Sequence, residues 1–360
     1  MDLQAQQGLM PTYRQAWRNR GAVAWVASAA LIAFYTVLYW TEWLTPLAEA
    51  VGLRNKWYLY GLLYSVGMIG GAVWYLRRHG NSRYNQVRIA VNVAVQVLLG
   101  FTVPFVLPLF GQPEFYFGYF WPLKYDYLFP HTLQSLPTYL AVYTVIGALV
   151  VAPLASVLFG KRWYCSWVCG CGALANTFGD PWRHLTASDT RSWRFEKIAI
   201  HTVLGIALVM TGIVLVGQMI EYKGTAFSPF ADSVKSWYGF LVGSILAGVV
   251  GTGLYPILGP RVWCRNFCPM AALLGLTQKA GRFRIRVKRD MCISCGNCTA
   301  YCEMGIDVRS YAQTNQSFTR SSCVGCGMCA HVCPRGVLKL ENAWDRAEDA
   351  RRQGISIADY

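Results

Sequence analysis

The sequence predicts an α-helical integral membrane protein of about six spans that carries a small α+β domain near its C-terminus. Three observations lead there. The 360 residues are 54% hydrophobic and 14% aromatic, too apolar for an ordinary soluble chain. The surplus lies in six runs long enough to cross a bilayer. The segment from Met291 to Pro334 then holds eight cysteines in two copies of one spacing.

In chain order, residues 1–21 form a short basic tail and residues 22–258 the membrane domain. The runs are Ala22 to Trp40, Trp57 to Leu76, Ile89 to Phe110, Thr138 to Phe159, Ile198 to Gly217 and Trp237 to Leu258. A buried soluble helix would be shorter or would show a polar face. Pro104 and Pro108 are expected to break the third run near its end. Met1 to Gln15 is polar, and the first run lacks a small-residue cleavage site, so no cleaved signal peptide is expected. In the sixth run, Gly239, Gly243, Gly248, Gly251 and Gly253 read as close helix packing.

Charge sets the expected orientation. Only Arg54, Lys56, Lys124, Lys223 and Lys235 of the 33 basic residues fall in three of the loops; the other 28 fall on the opposite side, which the positive-inside rule makes cytoplasmic. Both termini and the C-terminal domain are then inside. The five outer basic residues are matched by six acidic ones, so the net charge of +15 lies at the inner surface. Topology and anionic lipid account for it, and no nucleic-acid partner is expected. All thirteen cysteines lie in inner segments, as a reducing compartment requires.

The outer loop from Gly111 to Pro137 is crowded with aromatics, among them Phe115, Tyr116, Phe117, Tyr119, Phe120, Trp121, Tyr125, Tyr127 and Phe129. An interfacial belt is the simplest reading. A quinol pocket or a docking face is the functional one, with His131 as candidate proton acceptor. His201, in the fifth run, reads as a lone polar residue packed on a neighbouring helix, since a haem would need a second histidine.

After the fourth run come Gly160, Arg162, Cys165, Cys169, Ala173 and Leu174; after the sixth come Gly259, Arg261, Cys264, Cys268, Ala272 and Leu273. Every pair is 99 residues apart (264 − 165 = 99), the mark of a duplicated unit. On a helix, i and i+4 share a face, so each C-x3-C is expected to present two sulfurs side by side at the inner surface. Four thiolates could hold a further iron-sulfur cluster or another metal, or act as redox dithiols. Cys171 has Met270 as its repeat partner and reads as a structural thiol.

Residues 259–289 are expected to link to the C-terminal domain at 290–340. Arg282 to Lys288 alternates basic and apolar, predicting its opening strand, with the charged face toward headgroups or solvent. Cys292, Cys295, Cys298 and Cys302 read C-x2-C-x2-C-x3-C, and Cys323, Cys326, Cys329 and Cys333 repeat it 31 residues on (323 − 292 = 31). This is the ligand spacing of a bacterial-type 2x4Fe-4S ferredoxin, in which the fourth cysteine of each run ligates the other cluster. One 4Fe-4S set is therefore Cys292, Cys295, Cys298 and Cys333; the other is Cys323, Cys326, Cys329 and Cys302. Glu303 stands where proline commonly follows the fourth cysteine. Residues 341–360, rich in alternating charge, read as a solvated helix.

With the duplicated C-x3-C and the eight ferredoxin cysteines in place, residues 140 to 340 resemble the membrane polyferredoxins of the NapH, NosR and CcoG group. Members usually carry C-x3-C-P twice; the first copy here has Gly170 in place of proline. The chain as given holds neither the flavin domain of NosR-like proteins nor the β-sandwich of CcoG-like ones, so its layout is most similar to NapH. The resemblance implies electron transfer between the membrane quinol pool and a partner redox enzyme at the inner face. The alternative is a maturation factor that binds or reduces a metal such as copper for a partner enzyme. No nucleophile-and-base arrangement or phosphate loop points to other chemistry.

Overall fold

A computed structural model of the chain describes residues 21–221 and 227–343. Six helices are long and apolar enough to cross a membrane: α1 (Gly21–Trp40), α2 (Lys56–His79), α3 (Arg83–Phe110), α4 (Thr138–Phe159), α6 (Thr190–Met219) and α7 (Pro229–Val250). A short α5 (Gly170–Asn176) follows α4, and α8 (Pro269–Ala280) follows α7. Strands β1 (Phe283–Val287) and β2 (Leu338–Asn342) form an antiparallel pair, Ile285 opposite Leu340. The chain is thus a helical membrane protein with a C-terminal ferredoxin-type domain.

Local chemistry explains the helix ends. Asn55 caps α2, its Oδ1 accepting from the N–H groups of Trp57 and Tyr58, and Arg77, Arg78 and His79 complement the dipole in the last turn. Outward-facing side chains such as Val66, Leu154 and Val209 are apolar and more than half exposed, as a lipid-facing surface requires.

Two expectations about the spans change. The prolines of the third run do not break it: α3 widens to π geometry over Gln96–Thr102 ahead of Pro104, tightens over Leu107–Phe110, and ends at Gly111 in the left-handed region (φ 72°). A widened turn absorbs the carbonyl that proline leaves unpaired. The sixth run does not continue to Leu258. The helix stops at Val250 and resumes only as the short Tyr255–Leu258, because the glycines between let the chain fold against Trp263 and Ile32.

Residues 259–289 are also more than a linker. α8 packs on α4 and α6, and the ferredoxin-type domain is seated on this body. Ser166 Oγ donates to the Val324 carbonyl (2.6 Å), Lys161 Nζ to Ser321 (2.8 Å), Tyr84 to Gly325 (2.8 Å), and the Arg282 N–H to Val157 (2.9 Å). The apolar core runs unbroken from Trp121 through Cys165 to Val337. The charged face of β1 is divided: Arg284 is buried against Glu341, whereas Arg286, which also meets Glu341, and Lys288 are exposed, as the solvent-facing expectation has it. Glu341 and Asn342 belong to β2 rather than to a helical tail; residues 1–20 and 344–360 lie outside the described residues.

Each C-x3-C is introduced by a glycine in a conformation other residues rarely adopt: Gly160 at φ 76°, ψ 166° and Gly259 at φ 92°, ψ 164°. A Cβ at Gly160 would meet Phe283, and one at Gly259 would meet Thr186. Gly160→Ala and Gly259→Ala should each destabilise the protein by about 1–3 kcal/mol, measured as a lower unfolding midpoint in detergent, while Gly67→Ala, in open space on α2, should not.

Candidate functional site

The C-x3-C cysteines do not share a helix face. Cys165 ends the short helix Arg162–Cys165; the chain then leaves helical geometry, and Cys169 is extended (φ −66°, ψ 132°) where it caps α5. In the second copy Cys264 lies in the widened turn Trp263–Phe267, and Cys268 is extended (φ −84°, ψ 112°) at the cap of α8, with Pro269 at the first helical position. The repeat survives in the hydrogen bonds. Cys169 N–H donates to Tyr164 (2.8 Å) and Cys268 N–H to Trp263 (2.9 Å); Ala173 donates to the Cys169 carbonyl and Ala272 to that of Cys268. The Ala271 N–H, free at the start of α8, reaches Cys268 Sγ at 3.4 Å.

This geometry brings the two motifs together. Cys165, Cys169, Cys264 and Cys268 are each about 95% buried, and the charge of each acts on the others across the repeat. Burial pushes the Cys165 thiol up to about 11 and Cys264 to about 12, with the neighbouring thiols adding to the rise and Lys161 or Arg261 opposing it. Cys169 is pushed well up, first by a hydrogen bond with Cys171 and then by burial. Cys171 is therefore a neighbour of the set. Among the described residues no three Cys, His, Asp or Glu side chains close on a single-ion site, in the C-x3-C set or in either ferredoxin set.

In the ferredoxin-type domain, Cys292, Cys295, Cys298 and Cys333 line one small cavity, and Cys302, Cys323, Cys326 and Cys329 line another. These are the two interlocked sets the spacing proposes. Their surroundings repeat: Gly296 and Gly327 have φ 80° and 81°, and the Ile306 and Val337 N–H groups each lie 3.4 Å from the sulfur of Cys302 and Cys333. Cys295 is exposed, whereas the second set faces the membrane body.

The residues around the C-x3-C set and the second ferredoxin set fit anionic clusters. Lys161, Arg88, Arg183, Arg261 and Arg265 are buried there against Asp180, Glu196 and Glu303. Among the described residues, Nε and Nη1 of Arg88, Nη2 of Arg183 and Nε of Arg261 have no hydrogen-bond partner. Burying an excess of cations is costly without compensating negative charge, which thiolate-ligated clusters supply. Burial alone would raise the Glu303 carboxyl, but Arg183, Arg261 and Arg88 hold it below its usual range.

The aromatic outer loop is not an interfacial belt. Phe115, Phe120, Trp121, Tyr127 and Phe129 are buried, and Gly118 accepts from the Tyr164 hydroxyl (2.9 Å) beside Cys165. The loop dips inward because its aromatic faces pack on α4 and on one another, Phe115 stacking on Tyr127 at 5.1 Å. It separates two cavities that share Tyr116 and Tyr119. One, of about 280 Å³, is apolar and ends at Trp263 and Pro269, which flank the second C-x3-C. The other, of about 250 Å³, runs from Asn55 and Glu114 to Tyr64, Gln96 and Tyr119. Its inner end meets Gly170: a Cβ there would collide with the Tyr119 hydroxyl, Gln96 Oε1 and Tyr64 hydroxyl. Gly170 thus replaces proline so that these polar groups can reach the residue next to Cys169.

His131 is exposed and lines neither cavity. Glu114, which sequence reasoning passed over, lies in the second, accepting from Tyr58 at 3.0 Å and Tyr116 at 2.5 Å. Its only signal in the sequence is an acidic residue among loop aromatics. His201 is exposed, with Nδ1 2.6 Å from the Lys197 carbonyl, and lines a cavity together with Ala271, Ala272 and Gly275 of α8.

A family model for a 4Fe-4S dicluster domain matches residues 285–340, and one for a 4Fe-4S binding domain matches twice, at 141–186 and 240–288. The two matches start 99 residues apart (240 − 141 = 99), the interval of the C-x3-C repeat. The chain is a relative of the NapH-type membrane polyferredoxins. Over 186 residues it is 27% identical to the ferredoxin-type protein NapH of Escherichia coli, covering 48% of this chain and 58% of NapH. The putative electron transport protein YccM of Escherichia coli is 26% identical over 48% of this chain and 50% of its own length. The regulatory protein NosR of Stutzerimonas stutzeri is 28% identical over 44% of this chain and 22% of its own. The chain thus spans about half the length of YccM and NapH and less of NosR. No solved structure matches it.

In cluster-free polyferredoxin at neutral pH, alkylation followed by mass spectrometry should label the exposed Cys295 well before Cys165 and Cys264. The raised values of that buried pair leave them as thiols, and only the thiolate reacts. Their labelling should rise as pH approaches 11.

Proposed function

We propose that the protein is a membrane-bound electron-transfer protein that relays electrons between quinol in the Glu114 cavity and a partner redox enzyme. The observation that carries this reading is the convergence of Tyr64, Gln96 and Tyr119, at the inner end of that cavity, on Gly170 beside Cys169. A membrane cavity with a carboxylate at one end and buried thiols at the other suits oxidation of a lipid-soluble two-electron donor. The charge asymmetry of the loops favours an orientation with the cysteines at the cytoplasmic face of a bacterial inner membrane.

In this reading Cys292, Cys295, Cys298 and Cys333 hold one 4Fe-4S cluster, and Cys323, Cys326, Cys329 and Cys302 the second. Cys165, Cys169, Cys264 and Cys268 hold a third, since each matched 4Fe-4S segment brings only two cysteines of that set. Bound there, the clusters would accept electrons singly and so divide the two-electron donor into one-electron steps. Glu114 takes a proton from quinol; Tyr58 and Tyr116 hold its carboxylate in place. Exposed Cys295 and Ile293, which is 57% exposed, mark the end at which a partner docks.

The maturation reading has one observation in its favour, the likeness to a protein named regulatory.

Iron and acid-labile sulfide analysis separates the two. Wild type should hold about twelve irons and the Cys165, Cys169, Cys264 and Cys268 quadruple serine variant about eight, at four per cubane; about eight in both would overturn the third cluster. Glu114→Gln should slow cluster reduction by a quinol analogue at least about 100-fold, the lower bound for a lost proton acceptor, while leaving reduction by dithionite unchanged.

A further inference from the structure

Glu303 follows Cys302 where a proline was expected, and it is fully buried. Its carboxylate lies between two guanidinium groups. Arg261 Nη2 donates to Oε1 at 2.9 Å, and Arg183 Nη1 stands 2.9 Å from Oε2, an ion-pair contact off the ideal hydrogen-bond direction. Each arginine also faces a sulfur. Arg261 Nη1 is 3.9 Å from Cys264 Sγ and donates to the Cys165 carbonyl at 3.0 Å; Arg183 Nη1 is 3.9 Å from Cys326 Sγ. One carboxylate is therefore the midpoint of a charged bridge running from the C-x3-C set to the second ferredoxin set. Asp180 backs Arg183 at 3.1 Å, and buried Arg88 completes the surround.

We propose that Glu303 is a positioning residue that holds Arg261 and Arg183 against the two redox centres and so ties their reduction potentials together. This rests on the reading that the C-x3-C set carries a cluster. Hydrogen bonds and charge at ligating sulfurs set a cluster's potential, and in a dry interior a full charge acts at several ångströms with little screening. A triad serving only as structural glue would satisfy its own donors. Here Arg261 Nε and Arg183 Nη2 stay without hydrogen-bond partners among the described residues while each guanidinium turns a nitrogen toward sulfur. The departure from proline thus has a physical consequence: a carboxylate at this position offers one oxygen to each of two arginines, which proline cannot do.

The test is an EPR-monitored redox titration of the full chain in detergent. Glu303→Gln keeps the shape and removes the negative charge, so reduction becomes easier at both neighbouring centres. The C-x3-C centre and the Cys302, Cys323, Cys326 and Cys329 cluster should both shift upward, with the Cys292, Cys295, Cys298 and Cys333 cluster unmoved as internal reference. Arg183→Lys keeps the charge and the carboxylate but loses the fork, and it should move the C-x3-C centre, which Arg183 does not touch. That second variant decides the matter should Glu303→Gln fail to assemble. Potentials unmoved in both variants, or a shift confined to the centre each substitution adjoins, would overturn the bridge. Iron content keeps the two ideas apart: about eight irons in the wild type removes the underlying reading, whereas about twelve with independent potentials removes the bridge alone.

Discussion

Sulfur taken out of water needs positive charge beside it, and the inner half of this protein is arranged to supply it. All four cysteines of the C-x3-C set and all four of the second ferredoxin set have thiols pushed above the ordinary range, by burial in every case except Cys169, where the hydrogen bond with Cys171 comes first. Lys161 stands near Cys165 and Cys323 alike, and Arg261 and Arg183 each face a sulfur. These cations are themselves buried and would be unfavourable alone. Negative charge on these sulfurs, as the proposed clusters would bring, would offset the cost of burying the cations, while hydrogen bonds from Ser166, Lys161 and Tyr84 seat the ferredoxin-type domain on the helices.

Duplication provides the symmetry and divergence the specificity. Both copies enter through a glycine of positive φ and place their second cysteine at a helix cap. The paired arginines then part. Arg162 lies over the Phe283 ring at 4.8 Å and packs the opening strand, whereas Arg261 turns inward to Glu303. Pro269 in the second copy corresponds to Gly170 in the first, where the membrane cavity comes closest. Equivalent positions have taken different neighbours: the two arginines reach different parts of the ferredoxin-type domain, and Gly170 and Pro269 each meet a different one of the two cavities.

The resulting order runs from the Glu114 cavity through the buried C-x3-C set and the second ferredoxin set to the exposed Cys295. Polar tyrosines and a glutamine end the cavity on one side; a salt-bridged carboxylate lies between the next two stations. Keeping water out of the middle while leaving both ends accessible is a requirement of any relay. The aromatic loop meets it by folding its rings inward against α4 instead of lying along the interface.

The sequence by itself determined what depends on covalent spacing and on the bilayer: six apolar runs, the eight-cysteine spacing, and the 99-residue repeat. Such features are local or periodic, and each is visible in a window of residues. Only the tertiary structure decided what depends on residues far apart in the chain. It took the C-x3-C motifs off a common helix face, because the glycine that opens each copy and the cap that closes it bend the backbone between them. It moved interest from His131 to Glu114, since neither residue's neighbours can be read from its position in a loop. Glu303, a mere departure from proline in the sequence, became a bridge only when Arg183, 120 residues before it (303 − 183 = 120), and Arg261 closed on its two oxygens.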